Sequence, residues 1–118
     1  MLLRIWHVKI DPARVDELEN FAQTYSLPMF QQQAGCLGVL FTWQGNDCAT
    51  ISLWQTMDAI EKLKTSPTYA ETVRQLEATG MLGGEQSVEL FQCFGGFLNL
   101  DVLADEFRQN GNIIKVAQ

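Results

Sequence analysis

The stretch from Cys36 to Leu63 constrains the fold of this chain more than any other part of the sequence. Cys36 to Gln44 and Ala49 to Trp54 are rich in β-branched and aromatic residues, as expected of two strands. Between them stands Gly45-Asn46-Asp47, whose residue types tolerate positive φ and form tight turns. The pattern predicts a β-hairpin.

A helix is predicted immediately after this hairpin. Beyond Thr56 the apolar period changes from two to about 3.6 residues, so that Ile60 and Leu63 share one face. Thr56 itself is a residue type that caps helix N-termini. Trp54 therefore closes a strand just before a helix begins, where its indole can line the space between sheet and helix. Two interpretations of Trp54 stay open, a core or rim tryptophan and the wall of a ligand site.

Length and charge argue against several classes of protein. A chain of 118 residues has the size of one domain. Its formal net charge of −6 argues against an electrostatic hold on nucleic acid or anionic lipid. Residues 1–10 are too short and too charged for a secretory signal, and no apolar run is long enough to span a bilayer. We therefore predict one domain that binds neither nucleic acid nor membrane.

The cysteines indicate a reducing environment. Cys36, Cys48 and Cys93 form no CxxC pair and leave one thiol over. Such a set is typical of reduced, buried thiols that act as small hydrophobic side chains. The sequence therefore predicts a cytoplasmic protein.

The N-terminal part of the chain reads as a strand followed by an interrupted helix. Leu2 to Ile10 alternates and is largely apolar on both sides, so a second subunit is expected to cover one face. Asp11-Pro12 combines an N-cap with a proline at the first helical position. Leu27-Pro28 is predicted to break the helix, because the residue before a proline resists the α region. A short second piece is expected over Pro28–Gln33.

The remaining elements complete a β-α-β-β-α-β order, which is the split βαβ arrangement of the ferredoxin-like α+β class with an antiparallel sheet. The helix that starts near Met57 is expected to restart at Ser66-Pro67 and to end near Thr79. The other predicted elements are a loop at residues 81–84, a fourth strand over Ser87–Phe94, a tail helix with Leu100, Leu103 and Phe107 aligned, and a strand-like run over Ile113–Val116.

Few residues in this sequence have the types and spacing that chemistry requires. A metal site needs clustered ligands, but His7 is the only histidine and no cysteine has a partner at ligand spacing. The glycine pairs do not stand in a nucleotide-binding pattern. His7 is the one side chain able to take up a proton near neutral pH. It is either a structural histidine or a base, and no metal is expected.

The motifs GCLGV, ISLW-x-T, DAIEKL and SPTYAETV follow an N-terminal strand and the acidic helix DPARVDELENF. In this order and spacing the chain resembles the antibiotic biosynthesis monooxygenase family of dimeric α+β barrels. The resemblance covers about residues 1 to 94. It implies a ferredoxin-like domain over residues 1–96, and an extension over residues 97–118 that packs on the barrel or on the partner subunit.

The resemblance also implies a chemistry and a set of site residues. Members of this family include enzymes that oxidise quinols and polyketides with dioxygen and need neither metal nor flavin. The family tryptophan at the end of the third strand maps onto Trp54, and a pocket asparagine of the first strand maps near His7. A second asparagine falls on Thr50, where the match is lost. Tyr69 and Arg74 are further candidates for substrate binding.

Two functional classes follow from the resemblance. The first is a cofactor-free homodimeric monooxygenase that oxidises a quinol or phenolic aromatic, with Trp54 as pocket wall and His7 as base or donor. The second is a non-catalytic binding or stress-related dimer that kept the pocket and lost the chemistry. A haem-degrading branch of the family carries an axial histidine, but the matching position falls at or next to Val73, and residues 58–79 contain no histidine. No haem is therefore expected.

Overall fold

The computed structural model describes residues 1–109 of the chain. Four antiparallel strands form one sheet in the order β2-β3-β1-β4, which confirms the ferredoxin-like arrangement. The strands are β1 (Leu2–Ile10), β2 (Cys36–Gln44), β3 (Asp47–Trp54) and β4 (Leu82–Gln92). The predicted hairpin is confirmed as β2 and β3, with Gln44 paired to Asp47 and Gly45 at a φ of 59°.

The first helical segment does not break where the sequence predicts. Asp11 caps a 3-10 turn (Pro12–Arg14), which leads into α1 (Val15–Phe21). A π-helical segment (Ala22–Ser26) then continues directly into α2 (Leu27–Gln31). The expected interruption at Leu27-Pro28 is therefore wrong.

The π-helical segment explains how the proline is accommodated. The Leu27 N–H donates to the Ala22 carbonyl five residues earlier, and Leu27 keeps a helical φ of −60°. Pro28 has no N–H that would need a partner in the next turn, so the helix passes through it.

The second pair of helices begins where the capping residues predict. Thr56 accepts from the Ala59 N–H at 3.2 Å at the start of α3 (Met57–Lys64). Ser66 accepts from the Tyr69 N–H at 3.4 Å at the start of α4 (Pro67–Ala78). The two caps place Tyr69 in the first turn of α4, facing the sheet.

The fourth strand is longer at its start than the predicted Ser87–Phe94, and the loop expected at residues 81–84 is wrong. Leu82 and Gly83 pair with Ile10 and Lys9 of β1. The register shifts between His7 and Lys9, and Gly84 adopts a φ of 72° in the irregular stretch. A bulge of this kind lets a strand continue past glycines that look like a turn in the sequence.

The two faces of the sheet differ in what lies against them. The helices lie over one face of the sheet, which we call the covered face. The buried side chains of β1 and β3 on this face are Leu2, Arg4, Val8, Ile10, Cys48, Thr50, Ser52 and Trp54. On the second, the open face, no described element lies over the side chains, which include Leu3, Ile5, Leu40, Leu53 and Phe91. The prediction that β1 is apolar on both sides is confirmed.

The tail follows the end of β4. Phe94, Phe97 and Leu98 are largely exposed, and α5 (Leu100–Gln109) follows them. The predicted tail helix is confirmed, whereas its packing on the barrel or on a partner subunit stays a prediction. The Phe107 side chain and the run Ile113–Val116 lie outside the described part of the structure.

Candidate active site

A cavity of about 1020 Å³ lies between the covered face and the helices, and we call it the main cavity. Strands β1, β2 and β3 form its floor, and α1, α2, α4 and the π-helical segment form its roof. A volume of this size is ample for a small aromatic molecule of several rings. The two cavity residues that the sequence had singled out are Thr50 and Tyr69.

Aromatic side chains make up much of the wall of the main cavity. Trp6 contributes from β1, Phe30 from α2, and Phe41 and Trp43 from β2. Phe30 and Phe41 are tilted against each other with ring centroids 6.2 Å apart. The Trp6 indole N–H donates to Gln86 Oε1 at 3.2 Å. Such a wall favours planar aromatic ligands.

One buried charge faces this aromatic wall. Arg4 of β1 is only 5% exposed and lines the main cavity. Its Nη2 donates to the Tyr69 hydroxyl at 3.0 Å, and its Nε has no partner among the described residues. Within the described part of the chain, no carboxylate forms an ion pair with Arg4. The main cavity therefore contains an uncompensated positive charge.

The polar and thiol groups on the floor do not supply a base. Thr50 and Cys48 are buried next to each other on β3 and line the main cavity. Burial raises the pKa of the Cys48 thiol to about 11, against a smaller lowering by its hydrogen bond with Thr50. Burial also raises the pKa of Cys36. At neutral pH Cys48 is a neutral thiol, so it is a poor nucleophile.

Trp54 is not a wall of the main cavity, contrary to one of the two interpretations of the sequence. Its side chain is 0% exposed and packs in a core cluster with Leu2, Ile60 and Leu63. Its indole N–H donates to Ser52 Oγ at 2.8 Å. Helix α3 fills the space that a ligand would need, so the core interpretation agrees with the structure.

His7 and Arg74 also lie away from the main cavity. His7 points to the open face, where its Nε2 lies 3.0 Å from Glu89 Oε1. Arg74 is exposed on α4 and pairs with Glu71 at 2.6 Å. That hydrogen bond raises the pKa of Arg74 and lowers the pKa of Glu71. The structure therefore brings Thr50 and Tyr69 to one cavity and leaves His7, Trp54 and Arg74 outside it.

Arg4 is the cavity residue that the sequence reasoning missed. It stands at the position between Leu2 and Trp6 on the covered face, in a row that is otherwise apolar. A charged residue within such a row is a usable signal, because buried arginines almost always have a partner or a function.

Among residues 1–109 there is no group of three or more His, Cys, Asp or Glu side chains arranged to hold a metal ion. None of the described helices has the length and apolar character to cross a membrane.

A scan of protein-family models finds no match to this chain, and a search of curated proteins finds none either. Solved structures do match it. A monooxygenase from the gene ActVA-Orf6 of Streptomyces coelicolor, solved with the ligand nanaomycin D, is 18% identical with a TM-score of 0.70. The match covers 82% of this chain and 90% of that chain.

Two other solved structures share this fold. SnoaB, a cofactor-independent oxygenase from Streptomyces nogalater, is 17% identical with a TM-score of 0.62, over 80% of this chain and 94% of SnoaB. An antibiotic biosynthesis monooxygenase is 16% identical with a TM-score of 0.65, over 80% of this chain and 100% of that chain. The chain therefore has the fold of the antibiotic biosynthesis monooxygenases, as its motifs suggest.

Proposed function

We propose that this protein is a monooxygenase that oxidises a phenol or quinol with dioxygen in the main cavity, without a metal or an organic cofactor. The observation that carries the proposal is an aromatic-lined cavity with one buried cation, set in a fold shared with monooxygenases. The fold supports the proposed reaction class, and the lining of the main cavity supports the substrate class.

The proposed reaction balances without an external reductant. A hydroquinone and one dioxygen give a hydroxyquinone and one water, and the substrate supplies all four electrons. The first electron leaves most readily from the ionised oxygen of the substrate. The protein needs to bind the ring, favour the ionised form and exclude bulk water. Trp6, Phe30 and Phe41 hold the ring, and Arg4 faces the oxygen that becomes negative.

Oxygen consumption tests this proposal. A panel of hydroquinones and hydroxylated naphthalenes is supplied to the protein after treatment with a metal chelator. We expect rates above autoxidation, one dioxygen consumed per substrate, and one ¹⁸O atom from ¹⁸O₂ in the product. Arg4→Gln should lower the rate by about 10-fold or more, whereas Arg108→Gln, an exposed residue of α5, removes the same charge as a control. Rates that never exceed autoxidation would overturn the proposal.

A second candidate is a binding protein without turnover. The observation that favours it is the lack of a base inside the main cavity: the described residues that line it include one carboxylate, the exposed Glu19, and no histidine. In this case the aromatic panel binds with the same dependence on Arg4, but oxygen consumption stays at the autoxidation rate. Binding and turnover measured on the same compounds separate the two candidates.

We further propose that two copies pair through the open face. Leu3, Ile5 and Leu53 form an apolar centre on that face, and no described helix covers it. An obligate interface of this kind buries on the order of 2,000 Å² or more. Light scattering coupled to size exclusion should give the mass of two chains, and Leu53→Arg should give the mass of one. A wild-type protein that remains a single chain at micromolar concentration would contradict the pairing.

A further inference from the structure

We propose that Arg4 and Tyr69 form a receptor for an anionic oxygen, so that the main cavity selects aromatic ligands in their ionised form. This inference deepens the proposed function and rests on it for the identity of the cavity as the active site. It assigns a substrate class to that site, namely planar aromatics that carry one phenolate or carboxylate oxygen.

Arg4 is a buried charge for which the described residues supply no countercharge. Arginine keeps its charge in proteins, and burying an unpaired charge is unfavourable. In this chain the guanidinium is 5% exposed, its Nε lacks a partner among the described residues, and its one described acceptor is the neutral Tyr69 hydroxyl. An anionic ligand would supply the countercharge that the protein leaves out.

The hydrogen bond between Arg4 and Tyr69 leaves both side chains able to donate to a ligand. Tyr69 Oη accepts a hydrogen bond from Arg4 Nη2 at 3.0 Å, so the hydroxyl hydrogen of Tyr69 remains free to donate. Tyr69 is held in the first turn of α4, where its backbone N–H is capped by Ser66. The guanidinium and the hydroxyl are therefore two donors that can converge on one ligand oxygen.

The surroundings of this pair define the rest of the ligand. Trp6, Phe30 and Phe41 form an apolar wall of the same cavity, and Thr50 is a buried hydroxyl on its floor. A flat ring against this wall with one oxygen at the Arg4 and Tyr69 pair satisfies both the apolar and the charged part of the site. An alkyl anion would leave the aromatic wall without a matching partner.

The inference has a consequence that can be measured without turnover. A positive charge within about 4–6 Å of an acid lowers the pKa of that acid by about 1 to 3. A bound phenol should therefore be ionised at a pH at which the free phenol is not. The ionised phenol is also the better electron donor to dioxygen, so selection of this form prepares the proposed reaction.

The experiment uses three matched probes under nitrogen: 4-nitrophenol, 4-nitrobenzoate and 4-nitroanisole. The absorbance of 4-nitrophenol reports its ionisation directly, so its pKa is read with and without protein. We expect the wild-type protein to lower this pKa by about 1 or more, and to bind the uncharged 4-nitroanisole at least about 10-fold more weakly than the phenolate. 4-Nitrobenzoate distinguishes a phenolate site from a carboxylate site. If it binds more tightly than 4-nitrophenol, the site is a carboxylate receptor.

Four variants test the assignment to residues. Arg4→Gln should abolish the pKa shift while 4-nitroanisole still binds, which shows that the cavity is folded. Arg4→Lys should keep part of the shift, and Tyr69→Phe should reduce it. Arg108→Gln should leave it unchanged. A wild-type protein that binds 4-nitrophenol with an unshifted pKa would overturn the inference, and so would a shift that survives Arg4→Gln.

The two proposals fail in different ways. A shifted pKa without oxygen consumption by any quinol keeps the anion receptor and removes the monooxygenase. Oxygen consumption with an unshifted probe pKa, and with rates that do not depend on Arg4, keeps the enzyme and removes the receptor.

Discussion

The covered and open faces of the sheet differ in how their polar side chains are solvated and paired, although both faces are built from alternate residues of the same strands. On the open face, His7 Nε2 lies 3.0 Å from Glu89 Oε1, and the two side chains are 44% and 54% exposed in a single chain, so water solvates this pair. On the covered face, Arg4 is almost fully buried and no described carboxylate pairs with it.

This difference separates a polar pair that water solvates from a buried charge for which we propose a ligand. An exposed ion pair costs little and contributes little. A buried charge without a countercharge reduces stability. Such charges are typical of functional sites, where a ligand supplies the countercharge. The proposed ligand site therefore lies on the covered face and the proposed pairing surface on the open face.

The largest effect is expected at Trp54, the centre of the covered core. Trp54→Ala should lower the free energy of unfolding by about 3–5 kcal/mol, because it removes a fully buried indole and leaves the Ser52 hydroxyl without its donor. Urea denaturation measures this change. Trp43→Ala is the matched control, since Trp43 is about half exposed, and its cost should be less than half as large. Equal costs would contradict the placement of Trp54.

The next effect has the opposite sign and concerns Arg4. Arg4→Met keeps the length of the side chain and removes the buried charge, so the free energy of unfolding should stay unchanged or rise by about 1–4 kcal/mol. Binding of 4-nitrophenolate should be lost in the same variant, whereas 4-nitroanisole should still bind. Arg4→Lys, which retains a charge, should show no such gain in urea denaturation. A loss of stability in Arg4→Met would mean that Arg4 is a structural residue.

A smaller effect is expected from Cys48 in alkali. The folded protein holds the pKa of this thiol at about 11, above the ordinary value of 9.0. Below pH 9 the thiol is neutral in the folded and the unfolded state, so its full contribution to stability is present. Between pH 9 and about 11 the thiol ionises only in the unfolded chain. The free energy of unfolding therefore falls as the pH rises through this range. The loss should be on the order of 2 kcal/mol. Cys48→Ala should show a shallower decline in urea denaturation across this range.

The smallest effect is expected on the open face. A double-mutant cycle of His7→Ala and Glu89→Ala should give a coupling energy below about 1 kcal/mol, because both side chains are about half exposed. The cycle is measured by thermal unfolding in the Leu53→Arg background, in which the open face is expected to stay uncovered. A coupling well above that value would show that the pair is buried in the native protein and would weaken the contrast between the two faces.

Local patterns were sufficient to predict most of the secondary structure. The hairpin at Gly45, the caps at Thr56 and Ser66, and the alternation of the first strand all depend on residues within a few positions of one another. The predictions failed where contacts between distant parts of the chain override a local sequence rule. Pro28 continues a helix because a π-helical segment precedes it, and Gly83 belongs to a strand because β1 supplies its partner.

The sequence by itself determined the order of the elements and therefore the fold, because hydrophobic period and capping act over short distances. Only the tertiary structure decided which residues meet in the main cavity. Arg4 and Tyr69 are 65 positions apart and meet because β1 lies at the centre of the sheet beneath α4. Trp54 was excluded from the cavity because α3 packs on it and Ser52 takes its N–H. Residue type and spacing do not encode such contacts, since they depend on how separate elements pack.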